Sequence, residues 1–237
     1  MKLHLFAVFL ISACITVSLG GCTRPKVQTT LEVIPIDISL VKEDLTLREL
    51  KKMNGGQLRI NGFVDYNGTD MPWDILGTFS TKKVFTAEDA VYALLSVRSF
   101  MRIGDASFAC TEIEGSDKTR RFQIQQVYKG IAVEDGRFEI AATKEEGNLI
   151  GVAGFYRQVP DMDVDPEISM KKARKAFKLK WSTKITKSQL VIYGTPELSD
   201  CLAWKFIVSG RNPKDDKLVY IDAITGNIIA EYYTSMS

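Results

Sequence analysis

Residues 122–156 read FQIQQVYKGIAVEDGRFEIAATKEEGNLIGVAGFY. With Arg121, the stretch divides into strand-like runs at 121–128, 137–143 and 149–156. Lys129-Gly130 and Glu145-Glu146-Gly147-Asn148 supply the turns between them. Short strands joined by tight turns predict an antiparallel meander.

Working outward, another strand-like run lies at 107–112, and a helix start lies at Phe85-Thr86-Ala87-Glu88-Asp89-Ala90. Thr86 is placed to cap the amide of Asp89, with acidic residues in the first turn and Phe85 stapled onto Ala90. Ala90, Val91, Leu94 and Leu95 then form one apolar face. Upstream, residues 45–53 read as a short helix ending at Asn54-Gly55-Gly56, residues 57–64 as a strand and Asn67-Gly68 as a turn. Downstream, the proline- and acid-rich residues 159–167 read as a linker, after which the plan repeats. Ile168-Ser169 starts a second helix whose apolar stripe is Met170, Ala173, Ala176 and Phe177. Strand-like runs follow at 189–193, 203–209, 218–222 and 227–232. A helix followed by a meander, twice, predicts an α+β fold in which each helix crosses one face of an antiparallel sheet. Trp73, Trp181 and Trp204 read as core and strand residues.

Residues 1–21 read as a targeting segment: Lys2 and His4, then the apolar run 5–17, too short for a membrane span. It ends in Leu19-Gly20-Gly21-Cys22, which resembles the bacterial lipobox, so Cys22 is expected to carry a lipid. The alternative is an ordinary signal peptide with Cys22 incidental. Residues 22–40 then read as a lipid-anchored tether, 41–158 as a first domain with an N-terminal extension, and 166–233 as a second. Cleavage before Cys22 takes away Lys2 and lowers the formal net charge from +2 to +1. That balance gives no reason to expect a nucleic-acid partner. Cys110 and Cys201 remain, either joined as a disulfide or packed as two free thiols.

The run 125–133, QQVYKGIAV, resembles the fungalysin/thermolysin propeptide domain. That family shows a glutamine-rich strand, an aromatic-Lys-Gly turn and a hydrophobic return strand. Gly147-Asn148 and Val152-Ala153-Gly154 match its next hairpin. Ile168-Ser169, Leu202-Ala203-Trp204-Lys205-Phe206 and the run 219–228 resemble the PepSY domain that follows it in such propeptides. Together the matches cover residues 73–232, about two thirds of the chain. The resemblance implies two cystatin-like units that assist folding of a secreted metallopeptidase and inhibit it until cleaved. It implies contact through the hairpin at Lys129, Gly130, Glu134 and Asp135. Two departures stand out: Ala132 replaces the usual proline, and Glu134-Asp135 replaces an aromatic-Gly pair. No catalytic domain follows in this sequence, so inhibition is expected to act in trans.

Catalysis by the chain itself is not expected. Zincin chemistry and serine triads need histidine, and the one histidine, His4, lies in the targeting segment. Ser80–Lys83 and Ser169–Lys172 match Ser-x-x-Lys, but Ser169 is already explained as a helix cap. Asp161, Asp163, Asp165 and Glu167 alternate like calcium ligands, yet Pro166 and Lys172 stand where a calcium loop needs Gly and Glu. No metal or cofactor is expected. Lys171, Lys172, Arg174, Lys175, Lys178 and Lys180 make the second helix basic, either a solvated face or one that rests on anionic lipid. The expected partners are a thermolysin-like metallopeptidase and, through the anchor, an extracytoplasmic bacterial membrane. The alternative is an envelope scaffold without a protease partner.

Overall fold

A computed structural model describes residues 31–36, 39, 41–53, 57–64, 70–80, 82–195 and 198–234. The targeting segment, Cys22 and the Asn67-Gly68 turn lie outside the described residues. Among the described residues no helix is long and apolar enough to cross a membrane. The fold is α+β, with few helices and a mostly antiparallel sheet.

The first half comprises α1 (Leu47–Met53), β1 (Arg59–Val64), β2 (Asp70–Leu76), α2 (Ala87–Leu95), β3 (Ser107–Ile113), β4 (Thr119–Tyr128), β5 (Ile131–Thr143) and β6 (Leu149–Gly154). Helix α2 begins as its residues dictate. The Thr86 hydroxyl accepts the Asp89 amide at 3.2 Å, and the Asp89 carboxylate accepts the Thr86 amide at 3.1 Å. This reciprocal pair satisfies two of the free donors at the helix start. Val91, Leu94 and Leu95 then bury against Phe108, Phe122, Ile124, Phe138, Ile140 and Val152. Phe85 sits differently from the expected staple: its ring lies over Gly147, where a Cβ would collide with it and where φ is +65°. Glycine is needed there on both counts.

The second half comprises α3 (Met170–Ala173), a 3₁₀ turn (Arg174–Ala176), β7 (Thr183–Thr195), β8 (Leu198–Gly210), β9 (Lys217–Asp222) and β10 (Ile228–Tyr233). Ser169 caps α3 by accepting the Lys172 amide at 3.3 Å. The predicted basic helix is much shorter than its sequence pattern suggested. Lys171/Lys175 and Arg174/Lys178 place like charges one turn apart with no acid between them, which disfavours helix. Phe177 leaves the helix at φ −128° and enters the core, while Ala176 stays exposed. There Phe177 meets Phe206 at 5.3 Å between ring centroids. Trp204 is buried with its indole N–H donating to the Ile168 carbonyl at 2.6 Å, and Val208, Val219 and Ile221 complete this core.

The two meanders join in one ten-stranded network, ordered β1-β2-β6-β5-β7-β8-β9-β10, with β4 on β5 and β3 on β4. The junction is the one parallel pairing, Ala132 with Val191 and Val133 with Ile192. Residues 31–36, read as part of a tether, instead lie on the fold. Leu31 packs against the sheet of the second half, and Ile34 and Ile36 pack on the first core. The Ile34 amide donates to the Phe108 carbonyl at 2.8 Å. Their apolar side chains favour burial over a solvated linker.

Phe177 is 7 % exposed, so Phe177→Ala is expected to lower stability by about 3–5 kcal/mol in urea denaturation through the cavity it leaves. A loss under about 0.5 kcal/mol would place the ring outside the core.

Candidate functional site

The β4–β5 hairpin turns on Lys129 at φ +46° and Gly130 at φ +84°, with Tyr128 opposite Ile131. Two successive positive φ values suit the right-handed twist of the strands, and Gly130 supplies one without strain. The turn is latched to the linker. Asp161 accepts from Lys129 Nζ at 2.8 Å and from the Tyr128 hydroxyl at 2.9 Å. These hydrogen bonds hold the Asp161 carboxyl below its ordinary range. The cation expected to face a partner is therefore already engaged within the chain.

Beyond the turn, β5 breaks register. Gln125 pairs with Arg137 and Val127 with Ala132, so residues 133–136 bulge opposite the single residue Gln126. Two glutamines stitch this bulge. Gln125 Nε2 donates to the carbonyls of Val133 at 2.6 Å and Gly136 at 3.0 Å. Buried Gln126 donates to the Arg157 carbonyl at 2.6 Å and accepts the Arg157 amide at 3.0 Å. A Cβ on residue 136 would run into the Gln126 side chain, so glycine is required for the close approach.

The bulge separates the two neighbouring acids. Glu134 turns inward: its carboxylate pairs with Lys205 Nζ on β8 and accepts the Tyr220 hydroxyl on β9 at 2.9 Å. The Glu134 and Lys205 side chains are each 11 % exposed. Burial, then the Glu134 charge, pushes the Tyr220 phenol up. Asp135 points out at 62 % exposure, 3.4 Å from Arg157. Arg157 in turn binds Asp200 at 2.7 Å and the Gly194 carbonyl at 3.0 Å. Glu134, expected as a partner contact, is thus an internal brace, and only Asp135 of the pair faces solvent.

A second feature was not visible in the sequence. An open groove of about 630 Å³ runs beside β10, lined by Tyr193, Thr195, Asp222, Asn227, Ile228 and Tyr232. Tyr193 stacks on Tyr220 at 4.1 Å, and its hydroxyl lies 2.6 Å from that of Tyr232. Burial pushes the Tyr193 phenol up. The Asp222 carboxylate is taken by the amides of Ile224 at 2.8 Å and Thr225 at 2.7 Å. Strand β10 ends the sheet order, so among the described residues its outer edge has no strand partner. Ile228 and Tyr232 are exposed along it. A groove of mixed polar and apolar lining, next to a strand with an unpaired outer edge, suits an extended peptide that adds a strand.

The Ser-x-x-Lys matches are engaged elsewhere. Buried Ser80 accepts the Lys82 amide at 3.2 Å, and Lys83 Nζ bonds Asn148. The acidic linker residues do not converge either: Asp161 serves the hairpin, and Asp163 accepts the Asp165 amide at 3.1 Å. Cys110 on β3 and Cys201 on β8 are free thiols, the second of the two alternatives. They belong to opposite halves, Cys110 against the first core and Cys201 beside Tyr193. Burial pushes the Cys110 thiol up to about 12 and the Cys201 thiol up to about 11.

No protein-family model matches this chain, and no curated protein matches it. Among solved structures, the C-terminal domain of YpeB from Bacillus megaterium is similar at 15 % identity, with a TM-score of 0.40, over 80 % of this chain and 98 % of that one.

Two outcomes are expected of the site residues. Glu134→Ala leaves the Lys205 ammonium unpaired in a confined place and should cost about 3 kcal/mol, whereas Asp135→Ala should cost under about 1 kcal/mol. Equal losses in urea denaturation would contradict the inward–outward division. Both cysteines should resist iodoacetamide in the native state at neutral pH and label on denaturation, because the thiolate is the reactive form. Rapid native labelling, read by mass spectrometry, would show that the thiols are not buried as described.

Proposed function

We propose that this chain is a non-catalytic extracytoplasmic protein, held at a bacterial membrane by a lipid on Cys22. It binds a thermolysin-like metallopeptidase in trans and inhibits it or assists its folding. In this reading residues 41–158 and 166–233 are two cystatin-like units, α2 on the first meander and α3 on the second. The groove beside the unpaired edge of β10 carries the binding proposal, since it offers backbone hydrogen bonds and apolar contact to an extended segment. The peptidase as partner rests on the propeptide-like runs at 125–133, 202–206 and 219–228.

The scaffold reading draws on one specific observation. Glu134 turns inward, and Lys129, though exposed, is paired with Asp161, so two of the hairpin side chains expected at the contact already have partners within the chain. A partner would then use the β10 groove and need not be a protease.

Calorimetric titration of the full chain against a thermolysin-like metallopeptidase secreted by its own organism tests the proposal. Binding is expected, without peptide hydrolysis by the chain itself. Ile228→Lys, which puts a charge in the groove, should weaken binding at least about tenfold, or about 1.4 kcal/mol. If the native protein neither binds, inhibits nor aids refolding of any such peptidase, the scaffold reading replaces this one.

A further inference from the structure

Residues 168–188 carry eight lysines and arginines and no acid. All eight are exposed. Only Lys180 has an acidic partner among the described residues, Asp215 at 2.6 Å. Within this run Trp181 is 87 % exposed. Arg211 lies over its ring, with the guanidinium carbon 5.2 Å from the centroid. Tyr233, also exposed, ends β10 beside the same loop, where the Thr234 amide donates to the Asp216 carbonyl at 2.9 Å. Lys178, Lys180, Lys184 and Arg211 thus share one end of the second half with two solvent-facing aromatic rings.

Tryptophan is highly buried on average in folded proteins. Here the exposed ring sits in the turn before β7 and does not line the groove beside β10. The cations spread along the surface and do not converge on a point. A planar, negatively charged acceptor matches both features. Indole rings partition to the headgroup level of a bilayer, and nearby lysines and arginines gain from anionic lipid.

We infer that the surface around Trp181, Lys178, Lys184, Arg211 and Lys214 docks on an anionic lipid bilayer, with the Trp181 indole inserted at headgroup level. Leu31 packs on the sheet of this same half. The stretch from Cys22 to Leu31 spans at most roughly 30 Å when extended, so an anchor at Cys22 would hold the protein close to a bilayer. The inference uses the anchor only for proximity and does not depend on a peptidase partner.

The test is Trp181 fluorescence of the full chain in vesicles, taken as wild type minus Trp181→Phe to remove the signal of Trp73 and Trp204. In vesicles rich in phosphatidylglycerol the Trp181 emission should shift to the blue and be quenched by brominated acyl chains. Both effects should vanish in phosphatidylcholine alone and at high salt. Lys178→Gln with Lys184→Gln should move the docking equilibrium roughly thirtyfold toward the undocked state. All three substituted positions are exposed, and circular dichroism checks that the variants fold. Solvent-like Trp181 emission in phosphatidylglycerol vesicles, or equal quenching in phosphatidylcholine, would overturn the inference. Neither result bears on peptidase binding, which is measured without lipid.

Discussion

The carboxylate of Glu134 joins the two halves of this molecule. It reaches Lys205 and Tyr220, 71 and 86 residues further along the chain. Charge-assisted hydrogen bonds of this kind are strong where water is largely excluded, and correspondingly costly to break. The bond exists because β5 bulges at residues 133–136. The bulge frees the start of β5 to pair with β7 while its remainder pairs with β6. Gln125, Gln126 and Gly136 hold that bend in place. Through this bend the first meander continues into the second, and the ten strands form one sheet.

The residues that read clearly from sequence are those whose partners are close along the chain. Thr86 and Asp89 are three positions apart and form the expected capping pair. Lys129-Gly130 makes the expected two-residue turn, and the buried face of α2 follows its period. What sequence reading missed depends on distant partners or on mixed signals. Strand β2 was hidden because Pro72 interrupts its pattern. The first half of β7 reads TKITKSQ, polar enough to pass for a loop. Glu134 and Asp135 are alike as letters and opposite in environment, and only the bulge decides which is which. Trp181 shows that an aromatic residue need not be a core residue.

These placements redistribute the surfaces available for function. The hairpin that carries the propeptide resemblance makes internal contacts, to the linker through Lys129 and to β8 and β9 through Glu134, while Lys129 and Asp135 stay exposed. The groove beside β10 and the basic loop around Trp181 are left open. Both lie in the second half, which combines an unpaired strand edge with a cationic aromatic tip. The first half supplies a well-packed platform under α2, and the sheet order ends there on β1.

The central structural claim is that the bulge and its buried ion pair make one cooperative unit from two similar meanders. Differential scanning calorimetry of the full chain tests it most directly. The account predicts a single transition whose calorimetric and van't Hoff enthalpies agree. Two resolved transitions, or a van't Hoff enthalpy well below the calorimetric value, would show that the halves unfold independently and that the Glu134 junction does not unite them.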